Sequence, residues 1–230
     1  MKKLVVLSGA GMSAESGIRT FRDMGGLWEE YDVMEVASPA GWEHDRATVL
    51  RFYNERRRQL QEVEPNQGHL GLVDLEAEFD VQIITQNVDN LHERAGSSSI
   101  LHLHGLLTQA RSTADPNLVY DIGYRDIKEG DLCEKGSQLR PHIVWFGEAV
   151  PAIHQAAEIT GQAEIFVVIG TSLNVYPAAG LLDLVRPGIP IFLIDPHDVR
   201  PVSRNRLEHI RSGAADGLDL LKEKLQQYKQ

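Results

Sequence analysis

The chain has 230 residues and a formal net charge of −10 with no Lys or Arg stripe, which excludes a nucleic-acid partner and suits basic protein substrates. Its single cysteine, Cys133, excludes an internal disulfide and any site built from several thiolates. No apolar run approaches membrane-spanning length, so the expectation is a soluble, reducing, cytoplasmic protein with no membrane partner.

Residues 4–7 (LVVL) are the first of several short apolar runs with the length and β-branching of buried parallel strands. The run enters a turn of Gly9, Ala10 and Gly11, followed by Met12, Ser13 and Ala14. Small residues here let backbone N–H groups approach a pyrophosphate at a helix N-terminus. Alone, the turn fits any nucleotide-binding α/β protein. Phe21 and Arg22 follow, either on a loop that closes over a ribose or as a core aromatic and a surface arginine. In a hydride-transferring dinucleotide unit the second strand comes soon after the first helix. Here residues 25–61 read as largely helical, with one helix over 43–62, and the next strand waits until residue 81. The first crossover is therefore expanded.

Within that stretch Tyr53 and Arg56 lie three apart, on one helix face. A hydroxyl and a guanidinium converging there suit a carboxylate, whereas a solvated basic face is the alternative because Arg57 and Arg58 adjoin. Pro65 and Asn66 open the next helix, which carries Leu70, Val73 and Leu75. Residues 81–85 and 100–103 form the following strands. Gln86, Asn87, Asp89 and Asn90 follow the first of these, where the ligand crevice of a parallel sheet opens. Asp89 before Leu91 also suits a helix cap, but capping does not require all four.

His102 and His104 alternate with Leu101 and Leu103, which puts both imidazoles on one face of a strand. The spacing suits a metal pair, yet no further ligands stand nearby, and His102 reads as structural. His104 ends the strand beside Gly105, with the near-neutral basicity of a general base. Residues 106–140 show little helix or strand periodicity and form a second insert. Its apolar residues Leu118, Val119, Tyr120, Ile122, Tyr124, Ile127 and Leu132 are expected to form a small cluster that supports it.

A helix over 151–162 and strands over 165–170 and 189–195 complete the alternation, with Gly170, Thr171, Ser172 and Asp195 at the strand ends. The tail, 215–228, places Leu218, Leu221 and Leu225 at helical spacing to dock on the sheet. The fold class expected is α/β: a Rossmann-like, doubly wound parallel sheet with a smaller lobe built from two insertions. The large lobe takes approximately residues 1–24, 64–105 and 149–230, and the small lobe 25–63 and 106–148.

Three stretches together are far more specific than the glycine turn: LVVLSGAGMSAESGIRTFRD at 4–23, TQNVDNLHERAG at 85–96 and HLHG at 102–105. They resemble the sirtuin family of NAD-dependent protein-lysine deacylases, and the resemblance covers nearly the whole chain. It implies NAD as cofactor, acylated lysines of proteins as substrates, and nicotinamide and O-acyl-ADP-ribose as products. It assigns NAD contacts to Gly9, Ala10, Gly11, Ser13, Ala14, Arg22, Gln86, Asn87, Asp89, Gly170, Thr171, Ser172 and Asp195. Phe21 would shield the reacting ribose carbon. Asn87 and Asp89 would meet the nicotinamide carboxamide and ribose, Gln86 a ribose, and His104 would be the base, with Asn87 also in the catalytic set.

RPHIVWFGE at 140–148 resembles the family's peptide-binding segment, with Val144 and Phe146 lining the lysine tunnel and Gly147 leaving room for backbone approach; an ordinary buried strand is the alternative. Tyr53 and Arg56 resemble the subgroup that removes succinyl and malonyl groups. Most members place two cysteine pairs where this chain has residues 106–140; only Cys133 is present, so no zinc is expected. A monomer is expected. The rival readings are a plain lysine deacetylase, a mono-ADP-ribosyltransferase, a dehydrogenase and a catalytically silent NAD or ADP-ribose sensor.

Overall fold

The computed structural model describes residues 1–18, 31–199 and 207–229; Phe21 and Arg22 lie outside the described residues. The main sheet comprises β1 (Lys3–Ser8), β2 (Asp80–Thr85), β3 (Ile100–His102), β7 (Ile165–Ile169), β8 (Ile191–Ile194) and β9 (Leu207–Ile210). All neighbouring pairs are parallel, in the order β3-β2-β1-β7-β8-β9. The chain winds outward from β1 in one direction, then restarts beside β1 and winds the other way. The order reverses between β1 and β7, which is where such sheets bind ligands.

Both faces of this sheet are buried, which is why its strands read as unbroken apolar runs. Leu4 and Val6 face the helices Gln67–Leu75 and Ala214–Leu225 through Leu72, Leu218 and Leu221. Val5 and Leu7 face the opposite layer, where Ala156, Leu181 and Leu182 pack. The tail helix docks as its leucine spacing requires. Asn66 caps Gln67–Leu75, accepting from Gly68 N and His69 N.

The sheet has one more strand than the five expected. β9 reads LEHI, a half-polar edge strand too short for a clear pattern. The expected helix over 43–62 is also two helices, Pro39–His44 and Arg46–Glu62. Asp45 breaks them with φ −144°, ψ 79° and caps the second by accepting from Thr48 N at 3.0 Å.

The second insert is more ordered than its periodicity implies. β4 (Gly105–Ser112), β5 (Val119–Asp121) and β6 (Leu139–Ile143) form an antiparallel sheet in the order β5-β4-β6. The apolar cluster expected from this insert alone is corrected: Leu132 is 57% exposed, Val119 is exposed, and Leu118 takes no part. Ile122 and Ile127 instead join Val49, Phe52, Leu60, Leu107 and Trp145 in a core shared with the helical insert.

Polar ties lock these parts together. Asn54 donates to Ile127 O at 2.9 Å and accepts from Ile127 N at 3.0 Å, and Arg57 Nε donates to Leu107 O at 2.7 Å. Cys133 is buried, its thiol 3.3 Å from Ser112 Oγ. Among the described residues no group of three or more His, Cys, Asp or Glu is placed to hold a metal ion.

Candidate active site

A cleft of about 690 Å³ opens at the carboxyl ends of the parallel strands, between the sheet and the small lobe. Its floor is the switch point. Gly9 N donates to Ile169 O and Gly11 N to Gly170 O, both at 2.9 Å, so the turn after β1 interlocks with the turn after β7. A Cβ on Gly9 would lie 2.7 Å from Thr171 Cβ, and one on Gly11 2.7 Å from Gly170 Cα. The glycines are therefore small so that two turns can interpenetrate. The N–H groups of both glycines are themselves committed to the end of β7 and the turn that follows it.

The segment after β2 supplies most of the polar groups. Asn87 spends both amide hydrogens within the protein, on Gly9 O at 3.0 Å and Ser13 Oγ at 3.1 Å. Its Oδ1 is left as an acceptor, and the residue lines both the cleft and a smaller pocket that adjoins it. Ser13 passes its own hydrogen to Asp89 Oδ2 at 2.9 Å, and Asp89 Oδ1 accepts from Leu91 N at 3.1 Å. Burial raises the Asp89 pKa above the ordinary carboxylate value. Ser13 and Asp89 line a pocket of about 20 Å³ that adjoins the cleft and shares Ala10, Arg56 and Asn87 with it. Both back Asn87, and Asp89 also holds the first amide of the helix Leu91–Ala95, whose N-cap is Asn90. Gln86 Nε2 reaches Thr171 Oγ1 at 3.2 Å and ties the β2 and β7 ends together.

His104 lies just past the end of β3, not on the strand. The two histidines do not share a face to any common purpose. His102 is held by Asn87 O at 3.2 Å and Glu93 Oε1 at 2.6 Å. His104 Nδ1 sits 3.0 Å from Gln86 O. A carbonyl only accepts, so Nδ1 carries the proton and Nε2 is the basic nitrogen. Burial lowers the His104 pKa, partly opposed by that hydrogen bond, which keeps the ring neutral.

Tyr53 and Arg56, from the helix Arg46–Glu62, line the same cleft as His104. The solvated basic face is excluded, since the three arginines part company. Arg58 is exposed and pairs with Asp126 at 2.8 Å, Arg57 is buried on Leu107 O, and Arg56 is buried at the cleft. Burial lowers the Arg56 pKa to about 10 and pushes that of Tyr53 up to about 12, so at neutral pH one is cationic and the other an intact phenol. Arg56 also lies over the Phe52 ring, 5.5 Å from its centroid.

Val144 and Phe146 line the cleft, with their N–H groups on His104 O and Ala37 O at 2.9 Å. Gly147 does not line it; its φ of +90° serves the turn in which Glu148 N reaches Trp145 O at 3.0 Å. Ala14, Gly170, Thr171, Ser172 and Asp195 line the far end, where Asp195 Oδ1 accepts from His197 N at 2.8 Å. Asn174, His197, Asp198, Ser212 and Gly213 also line it and escaped sequence reasoning. The signal for the last two was β9, whose carboxyl end carries them. The cleft's volume, its place at the strand reversal and its polar groups at both ends fit a dinucleotide.

Comparison with known proteins points the same way. The model described as Sir2 family matches residues 9–177. An NAD-dependent protein deacylase of Bacteroides thetaiotaomicron is 55% identical over 233 residues, 98% of this chain and 98% of that one. One from Helicobacter pylori is 60% identical over 196 residues, 85% of each chain. Among solved structures, a Sir2 homologue in complex with NAD gives a TM-score of 0.88 at 37% identity, covering 99% of this chain and 90% of that one. A Sir2 protein with a deacetylated p53 peptide and 3′-O-acetyl-ADP-ribose gives 0.84 at 28% identity, covering 96% and 93%.

Proposed function

The chain belongs to the Sir2 family and is an NAD-dependent protein-lysine deacylase, and we propose that it favours lysines carrying a short acidic acyl group, succinyl or malonyl, over acetyl-lysine. Bound NAD supplies an electrophilic ribose carbon with nicotinamide as leaving group, and the ADP-ribose that departs with the acyl chain. The residues named for it are the Gly9–Gly11 turn, Ala14, Gln86, Asn87, Gly170, Thr171, Ser172 and Asp195, with Ser13 and Asp89 fixing Asn87 from behind. Asn87 Oδ1 accepts from the ligand, because its amide nitrogen is already committed. His104 Nε2 takes a proton from a ribose hydroxyl, its tautomer fixed by Gln86 O. Val144 and Phe146 flank the lysine stem. The chain's part is positioning plus one base.

The observation that carries the acyl preference is the convergence of Tyr53 and Arg56 on the cleft that holds His104. A buried guanidinium beside a phenol binds a carboxylate strongly and gains nothing from an acetyl methyl. We further propose that the small lobe needs no zinc, being held by its shared apolar core and polar ties. The acyl preference is tested by kcat/KM for matched succinyl and acetyl peptides on wild type and Arg56→Met. A succinyl preference that collapses in Arg56→Met is expected. Equal use of both substrates by wild type makes the protein a plain deacetylase, and a succinyl preference left unchanged in the variant rejects Arg56 as the group that reads the carboxylate.

A further inference from the structure

The indole N–H of Trp145 donates to the hydroxyl oxygen of Tyr53 at 3.0 Å, between residues 92 positions apart. An indole nitrogen can only donate, so the phenol oxygen must accept. The single Tyr53 hydrogen is then directed away from Trp145. Since Tyr53 lines the cleft, its hydroxyl is set up as a donor there.

Trp145 is itself fixed from three sides. Its backbone N–H donates to Glu148 Oε2 at 2.8 Å. Arg140 lies flat against it, with the guanidinium carbon 3.2 Å from the ring centroid, and donates to Glu148 Oε1 at 2.7 Å and Ile143 O at 3.0 Å. Trp42 packs against it at a centroid separation of 5.7 Å. Both Trp145 and Arg140 are buried. One segment thus runs Glu148, Arg140, Trp145, and ends on the hydroxyl of Tyr53.

We propose that Trp145 is a specificity-determining positioning residue, which through its indole N–H aims the Tyr53 hydroxyl hydrogen at the carboxylate of an acidic acyl group. The inference rests on the acidic-acyl reading of Tyr53 and Arg56. With the N–H removed, the phenol is able to turn an oxygen lone pair toward the carboxylate, which weakens the hydrogen bond that distinguishes succinyl from acetyl. An acetyl group has no charge to sense this, so the effect is confined to the acidic substrate.

The test is steady-state kinetics of Trp145→Phe with succinyl and acetyl peptides, beside Tyr53→Phe and the double variant. Trp145→Phe is expected to raise KM for the succinyl peptide roughly fivefold to tenfold, with kcat within about twofold and acetyl kcat/KM within about twofold. In the Tyr53→Phe background the same change is expected to leave the succinyl-to-acetyl ratio unaltered. If Trp145→Phe unfolds the lobe, benzothienylalanine at position 145 keeps the bicycle without the N–H and takes its place. Equal losses on both substrates, or an unchanged ratio while Tyr53→Phe lowers it, overturns the role of Trp145 alone. An unchanged ratio in Tyr53→Phe and Arg56→Met as well overturns the acidic-acyl reading itself.

Discussion

His104 Nδ1 lies 3.0 Å from the backbone oxygen of Gln86, so the residue that contributes a side chain to the β2 end also sets the tautomer of the proposed base. Burial lowers the histidine's pKa from its usual 6.5, against the opposing effect of the hydrogen bond. The base must be neutral to act, and a lowered pKa keeps it neutral further into acid. The acid limb of kcat/KM against pH is therefore expected to have its midpoint below 6.5. A midpoint well above 6.5 would mean that another group limits the reaction.

The interlocked glycine turns are expected to be intolerant of a single methyl group. Gly170 has φ +61°, and a Cβ there would lie 2.4 Å from Met12 N. Gly170→Ala is expected to cost about 2 kcal/mol or more, a fall of several degrees in Tm by thermal denaturation. A Tm within about a degree of wild type would show that the turns can separate cheaply.

His69 and His92 form a buried pair behind the site, with ring centroids 4.9 Å apart. Burial lowers the His69 pKa to about 4 and that of His92 well below 6.5. Both stay neutral in the folded chain while the unfolded chain takes up protons below 6.5. The pair therefore has no effect on stability above that pH and destabilises the fold progressively as pH falls toward 4. At pH 5 the loss is about 2 kcal/mol for His69 alone. His69→Asn, which keeps an acceptor for Asn66 N, is expected to flatten Tm against pH between 5 and 7. Parallel curves would place the titration elsewhere.

Metal removal separates this small lobe from one that depends on zinc. Cys133 has Ser112 as its polar neighbour. Prolonged chelation is expected to leave Tm and deacylation unchanged, as is Cys133→Ser to within about 1 kcal/mol. Stoichiometric zinc that can be removed only with unfolding would contradict the account of the lobe.

Legibility followed the physics of each segment. β1, β2, β7 and β8 are buried on both faces, so their apolar runs stand out, and the polar residues after them mark the ligand edge. β4 is only partly buried along its length, and β5 has two exposed residues of three, so neither leaves a clean alternation. β9 lies at the sheet edge and is half polar. Candidate site residues near the strand ends were readable by type and place. Their support was not: that Ser13 backs Asn87, or that Trp145 holds Tyr53, depends on contacts between residues far apart in the chain.

The most direct test of the central claim is mass spectrometry of succinyl-lysine and acetyl-lysine peptides incubated with NAD, alongside His104→Ala. Wild type is expected to release nicotinamide and convert the succinyl peptide to free lysine with O-succinyl-ADP-ribose as co-product. His104→Ala is expected to lose at least about a hundredfold of that activity while still binding ADP-ribose. Binding of NAD with no turnover of either peptide, or ADP-ribose attached to the peptide instead, would contradict the account.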